Sequence, residues 1–214
     1  MRGIGRSGGR EPRRPGAVHL PVGVGAAAVL ALAVLASGCT VAFRDPGVVA
    51  GCGPLRYTLD TADVSLSAGR RAAIHDAVEE FATLVGRVVV EVTAGSAADG
   101  AAGDPVRIVL AWPEESPDGL GFAEPQVVGT TYVGGWIMLN PSIRSAPAGL
   151  IRRLVLHELG HLHGLDDVTD PGELMDPSLA ATNWGPGDLF GLAMTHGGGC
   201  EGSLLSSEFQ ALAS

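Results

Sequence analysis

The chain has 214 residues, with 14 basic and 23 acidic side chains and a net charge of −9; every basic residue is an arginine. That length supports one domain with a real core, and the acidic balance excludes nucleic acid as a partner. It also excludes adhesion to anionic lipid by charge alone, so membrane attachment would require an inserted segment or a covalent lipid.

Residues 1–38 read as a secretory signal. Arg2, Arg6, Arg10, Arg13 and Arg14 make a basic start, Ala17 to Ala36 is almost uncharged, and small residues Ala36-Ser37-Gly38 precede Cys39. An uncleaved membrane anchor is the alternative, since the apolar run is long enough to span a bilayer. Pro-Gly-Ala after Arg13-Arg14 does not fit twin-arginine export. The run LASGC resembles the lipobox of bacterial lipoproteins, which implies a lipidated Cys39 as the new N-terminus. The expected location is the outer face of the cytoplasmic membrane, or outside the cell. Removing residues 1–38 takes away five of 14 arginines and one of 23 acidic residues, so the net charge falls from −9 to about −13.

Residues 39–53 lack a helical or strand period and read as a tether; residues 54–200 form the domain and 201–214 a tail. Arg56 to Leu59 is the first expected strand. Ser67 to Val85 carries Ile74, Ala77, Val78, Phe81 and Val85 on one helix face, and Gly86 stops it. Val88–Val92 and Val106–Leu110 are β-branched strands separated by a loop, 94–105. GLGFAEPQ, residues 119–126, has the glycines and proline of an irregular connection. Val127–Val133 and Trp136–Leu139 follow as two strands around Gly134-Gly135. Ala148 to His163 is helical, with Leu150, Leu154, Val155, Leu159 and Leu162 inward. A last helix holds Pro186 and Asp188 in its first turn and the apolar run Leu189 to Met194. This order predicts a mixed α/β (α+β) domain with its sheet completed before the main helix.

HELGHLHGLDD, residues 157–167, carries the chemistry. His157 and His161 are four apart on the helix, so both rings leave one face and can meet one Zn²⁺. Glu158 stands beside the first of them, placed to take a proton from water. A helix whose two histidines merely face solvent is the plain alternative. Gly164 can adopt the left-handed conformation that ends a helix, and the reversal would return Asp167 toward the histidines as a third, oxygen ligand. Asp166 is the competitor for that place. His163 falls on the far side of the helix, at the surface or behind the site. His19, His75 and His196 have no spacing that ties them to a metal.

HELGHLHGLDD resembles the metzincin zinc motif H-E-x-x-H-x-x-G-x-x-H with aspartate in the third place, as in snapalysin-type members. GELMDPSLA resembles the metzincin Met-turn, which places Met175 beneath the metal, and its wording is most similar to matrixins. YTLD, AAIHDAVEEF, VRIVLAW, GLGFAEP, GWIMLNPS and GPGDLFGLAMTHG follow the matrixin order over most of residues 55–198. The resemblance implies a metzincin-like catalytic domain with active-site helix, Met-turn and C-terminal helix. It implies a zinc endopeptidase with one catalytic Zn²⁺, Glu158 as base and a protein or peptide substrate. The substrate would lie along an edge strand, within Val127–Val133. The structural-zinc histidine cluster is missing, calcium sites are not assignable, and no tyrosine closely follows Met175.

Cys52 and Cys200 form an even pair in an exported protein, which predicts a disulfide closing a long loop. GCGP around Cys52 also loosely resembles the cysteine-switch segment of matrixin proenzymes, without its flanking arginine and aspartate. The expected protein is an exported, membrane-anchored, monomeric zinc endopeptidase. The rival classes are a metal-binding lipoprotein interaction module without turnover and a structural lipoprotein carrying a chance H-E-x-x-H.

Overall fold

The computed structural model describes residues 40–44, 47–59, 66–92, 107–108, 119–196 and 203–205. Cys39, Cys200 and His19 lie outside them, as do the signal, the loop expected at 94–105 and most of the tail. In chain order the elements are β1 Val49–Ala50, β2 Leu55–Tyr57, α1 Ala68–Val85, β3 Val89–Glu91, β4 Arg107–Ile108, β5 Gly121–Val128 and β6 Thr131–Leu139. A 3-10 turn Pro141–Ser145 then leads to α2 Ala148–Leu162 and α3 Pro186–Thr195. The expected mixture of helices and a mixed sheet is present.

β6 organises the sheet. β5 pairs antiparallel along its whole length, Gly121 opposite Leu139 and Val128 opposite Thr131. β1 and β4 pair parallel with β6 at Thr131–Tyr132 and Trp136–Ile137. Because β5 fills one edge of β6, β1 and β4 share the other, and the far edge of β5 carries no strand among the described residues. β2 and β3 pair parallel in a separate ribbon.

Three expectations fail in this hairpin. Residues 121–126 of GLGFAEPQ are in a strand rather than an irregular connection, Val127–Val133 is not one strand, because the chain reverses between Val128 and Thr131, and the break expected at Gly134-Gly135 is absent. Gly129 at φ +63° takes the first place of this two-residue loop, where the hairpin turn demands a positive φ. Gly134-Gly135 does not break β6. A Cβ on Gly135 would lie 2.4 Å from the Glu124 carbonyl oxygen and 2.5 Å from Leu162. The glycine is there so that β5 and α2 can close on β6, and the irregularity is taken up as a bulge after Gln126.

The core lies between the helices and one face of the sheet. Ile74, Val78, Phe81 and Val85 of α1 and Ile151, Leu154, Val155 and Leu159 of α2 are buried with Ala123, Ile137 and Leu139. Arg152 of α2 spans to Glu80 of α1 through Nε at 2.7 Å and a second, parallel bond. Of the segment expected as a tether, Val49–Ala50 joins the sheet. Residues 42–44 run beside 164–166, with Arg44 donating to the Gly164 carbonyl at 3.0 Å and Asp166 to the Ala42 carbonyl at 2.9 Å.

Cys52 is disulfide-bonded, to a cysteine outside the described residues. Arg87, just after α1, donates to the carbonyls of Gly53 and Pro54. Ser203 donates to the Leu84 carbonyl at 2.9 Å, so residues 53–54 and the described residues 203–205 both lie at the C-terminal end of α1. No described helix is long and apolar enough to cross a membrane.

Candidate functional site

The end of α2 shapes the site. Gly164 has φ +95°, its N–H bonds the His161 carbonyl at 3.1 Å, and the Leu165 N–H bonds the Gly160 carbonyl at 3.0 Å. This pair of bonds closes a Schellman motif and turns the chain back along the helix. A Cβ at 164 would stand 2.7 Å from the Tyr132 ring, so both backbone conformation and space call for glycine.

The reversal brings Asp167 home. Its Oδ1 lies 3.2 Å from His157 Nε2 and 3.3 Å from His161 Nε2, and the two Nε2 atoms are 3.1 Å apart. Asp166, the competitor, instead accepts the Asp167 N–H on its Oδ1 at 3.0 Å. His157 is buried, His161 half-buried and Asp167 exposed.

The tautomers follow from the outer nitrogens. His157 Nδ1 faces the Leu174 carbonyl at 2.9 Å, and His161 Nδ1 faces the Leu165 carbonyl at 3.0 Å. Each Nδ1 therefore carries a proton and donates it, which leaves both neutral Nε2 atoms as lone pairs. Two imidazole lone pairs and a carboxylate oxygen then converge with no donor between them. That arrangement is repulsive unless protons or a cation occupy the centre. The edge of a tetrahedron whose corners sit ~2.0–2.1 Å from its centre is ~3.3–3.4 Å, close to the three separations observed. The trio could hold a metal ion.

Ionisation agrees with a demand for positive charge. With a proton on Nε2 in place of a cation, His157 and His161 donate to Asp167 and hold its carboxyl far below the usual carboxylate range. Burial opposes charge on His157, but the bonds to Asp167 and to the Leu174 carbonyl, with the nearby charge of Glu158, raise its pKa overall.

Glu158 is 3 % exposed, and burial raises its pKa against the lowering pull of His157 and His161. Its Oε2 has no hydrogen-bond partner among the described residues. A buried carboxylate oxygen without a donor is costly and needs a reason. Glu158 lines an open cleft of about 380 Å³ with the trio, Arg44 and Gly121 to Ala123 of β5.

Met175 is buried behind the ligands. A Cβ on Gly160 would lie 2.4 Å from its Sδ, so the glycine between the histidines is what admits the methionine. The loop carrying it is pinned by residues the sequence reading missed. Asp188 accepts the N–H groups of Leu174, Met175 and Gly185, and Glu173 accepts those of Gly187 and Asp188 at 2.9 Å each. Asp188 is legible only as a first-turn acid of the last helix. Burial pushes its pKa up to about 6, against the backbone donors, with the neighbouring Glu173 adding to the rise.

Of the two places expected for His163, the surface is excluded. It is 2 % exposed, its Nδ1 faces the Leu159 carbonyl at 2.8 Å, and its ring packs on Phe81 and stacks on His196 at 5.4 Å. His75 sits on α1 against Tyr57 and Glu79, away from the trio. No protein-family model matches the chain, and a comparison with curated proteins found no match.

Proposed function

We propose that this chain is an exported zinc endopeptidase, lipid-anchored through Cys39, with a metzincin domain of the matrixin kind. The observation that carries the reading is one juxtaposition. Three inward-facing acceptors and a buried carboxylate with an unpartnered oxygen share a cleft bordered by an open strand edge. The element order and the buried Met175 behind the histidines support the family resemblance.

His157, His161 and Asp167 would hold the zinc, their mix of nitrogen and oxygen donors suiting that ion. A bound zinc supplies Lewis acidity, acidifying water and polarising a carbonyl oxygen. Glu158 does the proton work. Its raised pKa brings it nearer the operating range of a general base; its carboxylate takes the proton of the attacking water and returns it to the leaving amine. The Leu174 and Leu165 carbonyls keep both rings in the tautomer that turns Nε2 inward.

The substrate strand belongs against the open edge of β5 near Gly121, not within Val127–Val133, which contains the hairpin turn. Digestion of a peptide library by the purified chain, with and without a chelator, tests the function. Zinc-dependent cleavage supports it; a metal-loaded protein that cleaves nothing favours the binding-module reading.

A further inference from the structure

The edge of β5 beside the site is short, and its pattern can be read residue by residue. The Leu120 carbonyl accepts the Asn140 N–H at 2.8 Å and so faces β6. Its alternates Gly121 and Ala123 then direct their backbone groups outward. Pro125, the next outward position, has no N–H. Of the outward groups, the Ala123 carbonyl is already taken: Arg44 donates to it through NH1 at 3.1 Å. Among the described residues, Gly121 N–H and C=O and Ala123 N–H have no partner and remain for an incoming strand.

Glu158 marks where the reaction would occur on that edge. A Cβ at Gly121 would stand 2.4 Å from Glu158 Oε1. Ala123 is two residues further, ~7 Å along the strand. The Arg44 guanidinium therefore stands about two substrate positions from the bond beside Glu158. It is held there at both ends, its backbone N–H on the Gly164 carbonyl and its side chain on Ala123. The guanidinium is exposed to the cleft, and its other ionisable neighbours there are Glu158, Asp166, Asp167, His157 and His161. Arg44 is thus the one permanent cation lining the described cleft. A planar guanidinium with donors to spare suits a carboxylate.

We propose that Arg44 is a specificity-determining residue that selects a substrate carboxylate about two positions from the cleaved bond, on the Ala123 side. The proposal rests on the peptidase reading of the cleft. It is tested with matched peptides carrying Glu, Gln or Lys at each successive position. Binding is read by fluorescence anisotropy in a zinc-loaded Glu158→Gln protein, and kcat/KM in the protein that keeps Glu158. Wild-type Arg44 should favour Glu over Lys at one position by about five- to tenfold. Arg44→Glu should invert that ratio, and Arg44→Gln, which keeps a donor for Ala123, should bring it close to one. Thermal melting and zinc content establish that each variant is folded; if Arg44→Glu is not, Arg44→Gln alone decides. An unchanged profile in the folded variants overturns the proposal. Turnover without discrimination at any position overturns it while leaving hydrolysis intact. Discrimination in binding without turnover sinks the hydrolysis reading and leaves Arg44 as the selector.

Discussion

Glu173 and Asp188 hold each other's backbone. The Glu173 carboxylate accepts the Asp188 N–H at 2.9 Å, while the Asp188 carboxylate accepts the Leu174 N–H next to Glu173. Both are 2 % exposed. The clamp fixes the start of α3 against the loop that carries Met175, and through the Leu174 carbonyl it fixes the His157 ring.

Asp188→Ala would leave the N–H groups of Leu174, Met175 and Gly185 without their acceptor. Urea denaturation should show a loss of about 2–4 kcal/mol, within the range for buried unsatisfied groups. Zinc affinity should fall by about tenfold or more, as for ligand-orienting partners elsewhere. A loss under about 0.5 kcal/mol, typical of a surface change, would contradict the clamp.

Acid should remove the stability that a different pair contributes. Burial lowers the His196 pKa from 6.5 to about 4, and burial holds His163 well below 6.5 too. A histidine whose folded pKa is depressed stays neutral in the fold while the unfolded chain protonates. Its stabilisation is full above pH 6.5 and declines as pH falls toward 4, by up to about 3 kcal/mol for His196. Asp188 acts oppositely. Its raised pKa contributes stability below 3.8, lost as pH rises through about 6. Glu158 and His157 are raised too and act in the same sense as Asp188, so the histidine share is read as a difference between proteins. His196→Phe, which keeps an aromatic ring on His163, should make the change in Tm from pH 7 to pH 5 more favourable than in wild type; an equal change in the two would exclude His196 as a source.

Asp167→Ala should weaken zinc binding by about a hundredfold in competition with a chelator, since it removes one of three ligands. Asp166→Ala should change it by less than about threefold, because its carboxylate only accepts a neighbouring N–H. The reverse ranking would move the third ligand to Asp166.

The cysteines offer a test of the anchor. Cys52 is disulfide-bonded, and the chain's other cysteines are Cys39 and Cys200. Only a cysteine outside the bridge can carry lipid. Mass spectrometry of unreduced peptides should find Cys52 joined to Cys200 and Cys39 acylated. A Cys39–Cys52 peptide would exclude the lipoprotein reading.

The sequence made the long, periodic parts of this protein readable. α1 and α2 end within a residue or so of where apolar spacing and Gly86 or Gly164 put them. The trio was legible because its spacing lies within a single helix and the one turn after it. The β5–β6 hairpin was not. Glycine and proline there signal a loop locally, while their use is to let β5, β6 and Leu162 approach. The burial of His163 was hidden as well, because Phe81, Arg87 and His196 come to it from distant parts of the chain. Arg44 and Glu173 gave no signal, since their roles depend on backbone partners brought near only by folding.

The most direct measurement compares peptide hydrolysis by wild type and Glu158→Gln, each carrying one equivalent of zinc. Both should retain the metal, because Glu158 is not one of the three converging groups. Wild type should cleave, and the variant should be slower by about 10²–10⁴-fold, the contribution of a positioned base. Equal turnover by the two proteins would contradict the account.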